Sequence, residues 1–409
     1  MSNYVITGIG VVSAVGVGRE AFWKGLEDGI DPVSQITSFE TDKFPVKVAA
    51  EIKNFNPADH LGPKGLRNIE RGTLFLMAAA KMAIDEAKLE INESNTDKIG
   101  ITTGTTFSHL WPIVEFDKEV FKEGINFANP ALFPSTVLNA ASSQVAIRFN
   151  VQGFNATIST GYTSGLDALG YGLEALNTRK ADIVLAMAVE ALTSSLFFGL
   201  QKLGYMAGVN GETKSYPFDK RRNGPILGEG AAAFCVEEEK GAKIRNSNIL
   251  ARIKSVASYF DASQMGKIHA QGKGLEKAIT MAMDSAGISA KDIDYISSCA
   301  NSSCDLDKVE AGVLKKIFGA DLNNIPVSAI KSMLGESISA AANLQIASCI
   351  GVMQRGIIPP TINYKDKDQE CDIVISANRQ KKDVKLALVT ASGPGGYNSA
   401  CVIEKYRGD

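Results

Sequence analysis

Met82-Ala83-Ile84-Asp85-Glu86-Ala87, followed by Lys98-Ile99-Gly100-Ile101-Thr102-Thr103-Gly104, decides the fold because the pattern occurs twice. The second copy reads Met281-Ala282-Met283-Asp284-Ser285-Ala286, then Asp294-Tyr295-Ile296-Ser297-Ser298-Cys299, and the helix blocks lie 199 residues apart. Each copy is the end of an amphipathic helix, predicted over 74–89 and 274–286, then a charged turn and a short apolar strand. A repeat with a period of about half the chain points to two similar α/β units. We expect them to cover residues 1–250 and 251–409.

Working outward, Tyr4-Val5-Ile6-Thr7-Gly8-Ile9-Gly10-Val11-Val12 reads as a buried strand with a glycine turn. It is not a dinucleotide loop, since Ser13 stands where the third glycine of that motif belongs. Asp182–Ala188 and Val384–Thr390 are near-continuous apolar strands, as in a sheet covered on both faces. Strands alternating with helical stretches predict parallel pairing. Ser164–Leu176 and 332–354 are rich in small residues and nearly uncharged, which predicts central, buried helices.

The 409 residues carry 43 Lys+Arg against 45 Asp+Glu, a net charge of -2, which argues against a dedicated nucleic-acid binder. No apolar run is long enough to span a bilayer, and no basic leader precedes the first strand, so a cytoplasmic protein is expected. The six cysteines form no CxxC pair or Cys/His ligand cluster, so buried, reduced thiols and no metal are expected. Only three histidines exist: His60, His109 and His269.

Ile158-Ser159-Thr160-Gly161-Tyr162-Thr163-Ser164 is a strand entering a sharp turn and a helix. A helix N-terminus favours negative charge and suits an activated Cys or Ser nucleophile. Tyr162 stands at the tip instead. A phenol is a poor acyl carrier, so Tyr162 reads as a plug or as core packing.

Here the chain resembles the β-ketoacyl-acyl-carrier-protein synthases of the thiolase superfamily. The resemblance runs nearly end to end and rests on four blocks: 216–231, Lys331-Ser332-Met333-Leu334-Gly335-Glu336, 356–363 and 393–400. It implies a duplicated α/β/α/β/α thiolase fold and no cofactor. It also implies a Cys nucleophile and two histidines, and those are missing. Tyr162 occupies the nucleophile's place, Cys299 the first histidine's and Glu336 the second's, while Lys331 is retained. The family's Gly-Phe-Gly-Gly gate has become Gly393-Pro394-Gly395-Gly396.

Claisen condensation needs a thiolate to hold the acyl chain and two imidazoles to stabilise the enolate. A carboxylate at 336 would repel that enolate, so no condensation is expected of this chain alone. The resemblance therefore implies a chain-length factor, the degenerate β subunit of a type II polyketide ketosynthase. Such a subunit pairs with an active ketosynthase (KSα), shapes its tunnel and works with an acyl carrier protein. Products of such pairs include aromatic polyketides and polyene pigments. Three alternatives stand beside it: an acyl-thioester enzyme using Cys299, a decarboxylase-like variant, and a homodimeric acyl-chain binder.

In the family the segment after the 101–105 strand faces the dimer seam. Phe107, His109, Trp111, Phe116, Phe133, Phe197 and Phe198 are the candidate tunnel and interface residues, with core packing as the alternative for each. Lys64, Arg67 and Arg71 sit at helical spacing and are a candidate carrier-protein patch or a solvated helix face. Lys220-Arg221-Arg222 is expected to be internally paired.

Overall fold

The computed structural model describes residues 3–262 and 264–408. Its main sheet is built from ten strands: β1 (Tyr4–Ser13), β2 (Ile99–Gly104), β3 (Asn155–Ile158), β4 (Ile183–Glu190), β5 (Gly230–Glu238), β6 (Ala251–Phe260), β7 (Tyr295–Ser297), β8 (Val327–Ser328), β9 (Leu386–Ser392) and β10 (Tyr397–Lys405). The pair Gly16–Val17 folds back onto β1.

The order across the sheet is β8-β7-β9-β10-β6-β1-β5-β4-β2-β3. Read from each end, both halves therefore run third, second, fourth, fifth, first. Directions match as well. β2 is parallel to β3 and β4, and β7 is parallel to β8 and β9. β5 runs antiparallel to β4 and β1, and β10 antiparallel to β9 and β6. The pairs Tyr4↔Ile253, Val5↔Arg252 and Ile6↔Ala251 join the halves at the centre. The expected parallel pairing is found around β2 and β7, and the sheet as a whole is mixed. Continuous apolar runs report burial of both faces, not the direction of the neighbour.

Helices cover both faces. We label α1 (Arg71–Glu86), α2 (Leu110–Glu123), α3 (Ser164–Asn177), α4 (Ser194–Lys202), α5 (Lys273–Ala286), α6 (Cys304–Phe318) and α7 (Ala341–Arg355). α1 packs on β1 and β5, and its repeat α5 on β6 and β10, as the outer layers. α3 and α7 lie between the halves. α7 is buried from Ala341 to Met353, which explains a helix apolar or small on every side. The helix expected over 332–354 is interrupted. Gly335, at φ 67, ends a short turn over Lys331–Leu334, and α7 starts only at Ala341. This break sets Glu336 into the interior between two helical pieces.

Among the described residues, no helix is long and apolar enough to cross a membrane.

Candidate functional site

The turn after β3 is Gly161–Thr163, and α3 begins at Ser164. Tyr162 therefore sits where a nucleophile would be presented at a helix N-terminus. Its ring is half-buried and packs against Gly393: a Cβ built there would lie 2.3 Å from Cγ and Cδ2 of Tyr162. The glycine is required by this close approach. The ring meets Tyr205 edge-on, with centroids 6.5 Å apart. Burial, with Tyr205 and Glu336 nearby, pushes the Tyr162 hydroxyl well above the usual phenol range. It stays protonated and is no nucleophile.

Lys331 and Glu336 form a buried ion pair, Nζ to Oε2 2.7 Å, with side chains 4% and 0% exposed. Asn301 Nδ2 donates to the same oxygen at 2.7 Å and reaches the Tyr205 hydroxyl at 3.4 Å. The Ile338 backbone N–H donates to Oε1 at 2.9 Å. Both oxygens of the Glu336 carboxylate are thus engaged, by three donors of its own chain. Although burial works against the charge on Lys331, Glu336 holds its ammonium above the ordinary lysine range. An enolate at this place would meet a carboxylate and an ammonium already neutralised.

Cys299 is buried beside this pair. Its N–H donates to Thr390 Oγ1 at 2.9 Å and to Glu310 Oε1 at 3.1 Å, and Glu310 also accepts from Ser298 Oγ and Thr390 Oγ1, each at 2.5 Å. Burial and the Glu310 carboxylate push its thiol far above the ordinary cysteine range. A reactive thiolate needs the opposite environment.

The structure brings Tyr162, Glu336 and Lys331 together, with Cys299 alongside. It adds Tyr205, Asn301 and Glu310, which sequence reasoning had not singled out. Asn301 lies in the degenerate block after Cys299. Nothing in Leu203-Gly204-Tyr205-Met206 marks Tyr205 out. None of the three histidines is hydrogen-bonded into this set. His60 stacks on Phe55, and His269 lines a narrow crevice with Gly393 and Gly396. Among the described residues, no cluster of His, Cys, Asp and Glu is arranged to hold a metal ion.

The candidate wall residues divide. Phe107 and His109 are half-buried on the loop after β2, and Trp111 and Phe116 are on α2. Trp111 is 39% exposed, Phe133 59% and Phe198 49%. Phe116 and Phe133 meet edge-on at 5.8 Å. Phe197 is corrected: it is fully buried between Phe39 and Phe44, at 5.7 and 5.8 Å, and serves the core. Consecutive helical residues point about 100° apart, so Phe198 faces outward while Phe197 does not.

A cavity of about 360 Å³ opens beside Trp111 and Pro112, with Leu132 and Leu192 on its walls and Glu70 and Arg71 also lining it. Arg71 is no free cation. Its Nε and Nη2 grip the buried Glu229 carboxylate at 3.1 and 2.5 Å. The helix expected to carry Lys64, Arg67 and Arg71 on one face starts only at Arg71, leaving Lys64 and Arg67 exposed on turns. Arg221 pairs with Asp219 at 2.8 Å and Arg222 with Asp368, as expected for that loop, whereas Lys220 is exposed. Five cysteines are buried, but Cys304, the first residue of α6, is exposed.

Residues 1–242 match the β-ketoacyl synthase N-terminal domain family and residues 250–365 the C-terminal domain family. The chain is 32% identical over 407 residues to 3-oxoacyl-[acyl-carrier-protein] synthase 2 of Coxiella burnetii, covering 98% of each protein. It is 31% identical over 412 residues to the tetracenomycin polyketide synthase ketoacyl synthase alpha subunit of Streptomyces glaucescens, covering 98% of this chain and 96% of the relative. The solved structure of the ishigamide ketosynthase/chain length factor superposes with a TM-score of 0.93 at 28% identity, over 99% of this chain and 100% of that one. With its duplicated sheet and the position of its central turn, the chain belongs to the β-ketoacyl synthase family.

Proposed function

We propose that this chain is the non-catalytic chain-length subunit of a type II polyketide ketosynthase pair. The observation that carries the reading is the Lys331–Glu336–Asn301 set. At the place where condensation needs two imidazole donors, the chain has a carboxylate whose two oxygens are held by its own lysine, amide and backbone N–H. Tyr162 fills the nucleophile's slot against Gly393. The same geometry counts against the alternatives. Cys299 is sealed and protonated, and a decarboxylase would also need the missing donors.

The partner in this reading is a ketosynthase that keeps a Cys and two His, and the substrate is an acyl chain carried by an acyl carrier protein. Support for a partner comes from the surface. Phe121, Ile125, Phe127 and Phe133 are 88, 77, 73 and 59% exposed in one continuous run of chain from α2 onward. Exposed apolar surface concentrated in one segment marks an interaction site. His109 Nδ1, in the loop leading to this segment, is buried without a hydrogen-bond partner. The cavity beside Trp111 is where the growing chain would end, with Trp111 on its wall. We place the boundary between the two halves at residues 250 and 251.

The experiment is co-expression of the tagged chain with a Cys-His-His ketosynthase encoded beside it, followed by native mass measurement. A one-to-one heterodimer is expected. A homodimer or monomer that ignores this subunit would overturn the reading.

A further inference from the structure

The register between β2 and β4 pairs Gly104 with Ala188. Two residues further on, Glu190 ends β4 level with Thr106, just as the chain leaves β2 for the segment that carries Phe107, His109 and Trp111. The Glu190 side chain is buried, with 1% of the residue exposed. Its Oε1 accepts the Phe107 N–H at 2.9 Å, and its Oε2 accepts the Thr106 N–H at 3.2 Å and the Ser339 hydroxyl at 2.9 Å. None of these partners is charged. Burial pushes the carboxyl up to about 7 against the pull of these donors. Two consecutive N–H groups on two separate oxygens need a carboxyl group, since an amide offers a single acceptor oxygen.

The clamp reaches further. Thr106 Oγ1 lies 2.7 Å from Ser339 Oγ and 3.2 Å from Ser164 Oγ, and it donates to the Gly161 carbonyl at 3.3 Å. Ser339 follows Glu336 by three residues, and Gly161 precedes Tyr162. Three segments meet here: the one expected to face the partner, the turn of the degenerate nucleophile and the stretch after the degenerate second histidine.

We propose that Glu190 is a positioning residue that fixes the stance of residues 105–111 against the partner subunit, and so sets the length of the acyl chain the shared tunnel admits. The proposal rests on the reading of the chain as a tunnel-shaping subunit. It assigns to a buried carboxylate outside the cavity a control over the segment that ends at Trp111, which lines it.

The test replaces Glu190→Gln and reads two quantities. Amide exchange of Thr106 and Phe107 is measured on the purified chain, and product length is measured on the assembled pair with malonyl-loaded carrier protein. Exchange of at least one of the two amides is expected to rise on the order of tenfold, the loss of one hydrogen bond, and the product distribution to broaden. Ser339→Ala, which keeps both acceptor oxygens, is expected to leave both amides protected. If the Gln variant is poorly folded, Glu190→Asp, which keeps the charge one methylene short, is expected to give the same two changes. Unaltered exchange in Glu190→Gln would overturn the clamp. Faster exchange with unaltered product length would overturn its control of the tunnel. Failure of the wild-type chain to pair with any ketosynthase would count against the underlying function, and the exchange measurement would still decide the clamp.

Discussion

Replacing Glu336 by Leu removes the acceptor at the centre of the degenerate site. In the native protein the Lys331 ammonium lies 2.7 Å from Glu336 Oε2, with side chains 4% and 0% exposed. The substitution leaves a buried cation with no partner, which costs about 3–5 kcal/mol. Asn301 Nδ2 and the Ile338 N–H lose the same acceptor, at about 1 kcal/mol each. The added apolar burial of Leu offsets part of this, so the expected net loss is about 4 kcal/mol. The double variant Lys331→Met/Glu336→Leu removes both charges with little change in volume, and its loss should be no more than about 2 kcal/mol. Urea unfolding followed by far-ultraviolet circular dichroism gives the midpoints and slopes of the wild type, both single variants and the double. Two results would refute the reasoning. One is a Glu336→Leu single variant within about 0.5 kcal/mol of wild type, the range of a neutral surface change. The other is a double variant whose loss equals the sum of the two singles, since residues that share a contact should couple.

Tyr162→Cys alone is expected to give no condensation from malonyl-carrier protein, because Glu336 still stands at the second donor position; product from this single variant would show that the catalytic positions have been misassigned. Iodoacetamide followed by peptide mapping should label exposed Cys304 first and Cys299 only on unfolding, since Cys299 is buried and its thiol is held protonated; rapid labelling of Cys299 would contradict its burial. Phe197→Ala should destabilise the fold by about 3–5 kcal/mol, whereas Trp111→Ala should leave stability within about 1 kcal/mol and lengthen the product; the opposite pattern would exchange their roles. Glu190 titrates at about 7 when folded, against an ordinary value of 4.5. The folded state therefore holds its proton more tightly, and this stabilisation, complete below pH 4.5, is lost as pH rises to about 7. Over that window Glu190→Gln should gain on wild type by up to about 3 kcal/mol; a stability difference that stays flat with pH would contradict the buried, uncompensated carboxyl.

The duplication was legible because helix and strand periods survive in both copies, 82–104 and 281–299. Strand direction was not, since an apolar run such as Ile183–Val189 looks the same whichever way its neighbour runs. The proposed catalytic positions were assigned by their order along the chain: Tyr162, Cys299, Glu336. What fills them was only half legible. Glu336 could be read as repelling an enolate. Its tie to Asn301 and to the Ile338 N–H depends on the backbone break at Gly335, which an Ala- and Ser-rich run conceals. Phe197 and Phe198 are adjacent and identical, and only the phase of α4 separates core from surface. Glu190 gave no signal, because one acid at the end of an apolar strand is indistinguishable from an ordinary solvated terminus.

The central place of β1 has a consequence for the order in which the molecule can be made. β1 is made before the other nine strands of the sheet, yet its long neighbours are β5, over 230–238, and β6, which begins at Ala251. At about 5–20 residues per second, a nascent Val5-Ile6-Thr7-Gly8-Ile9-Gly10-Val11-Val12 pairs early only at its end with Gly16–Val17 and waits on the order of ten to fifty seconds for its first long strand neighbour. Throughout that interval it is an uncharged, β-prone segment with bare edges, the kind that associates with other chains. Slowing translation between residues 14 and 230 should therefore lower the soluble yield of this protein rather than raise it.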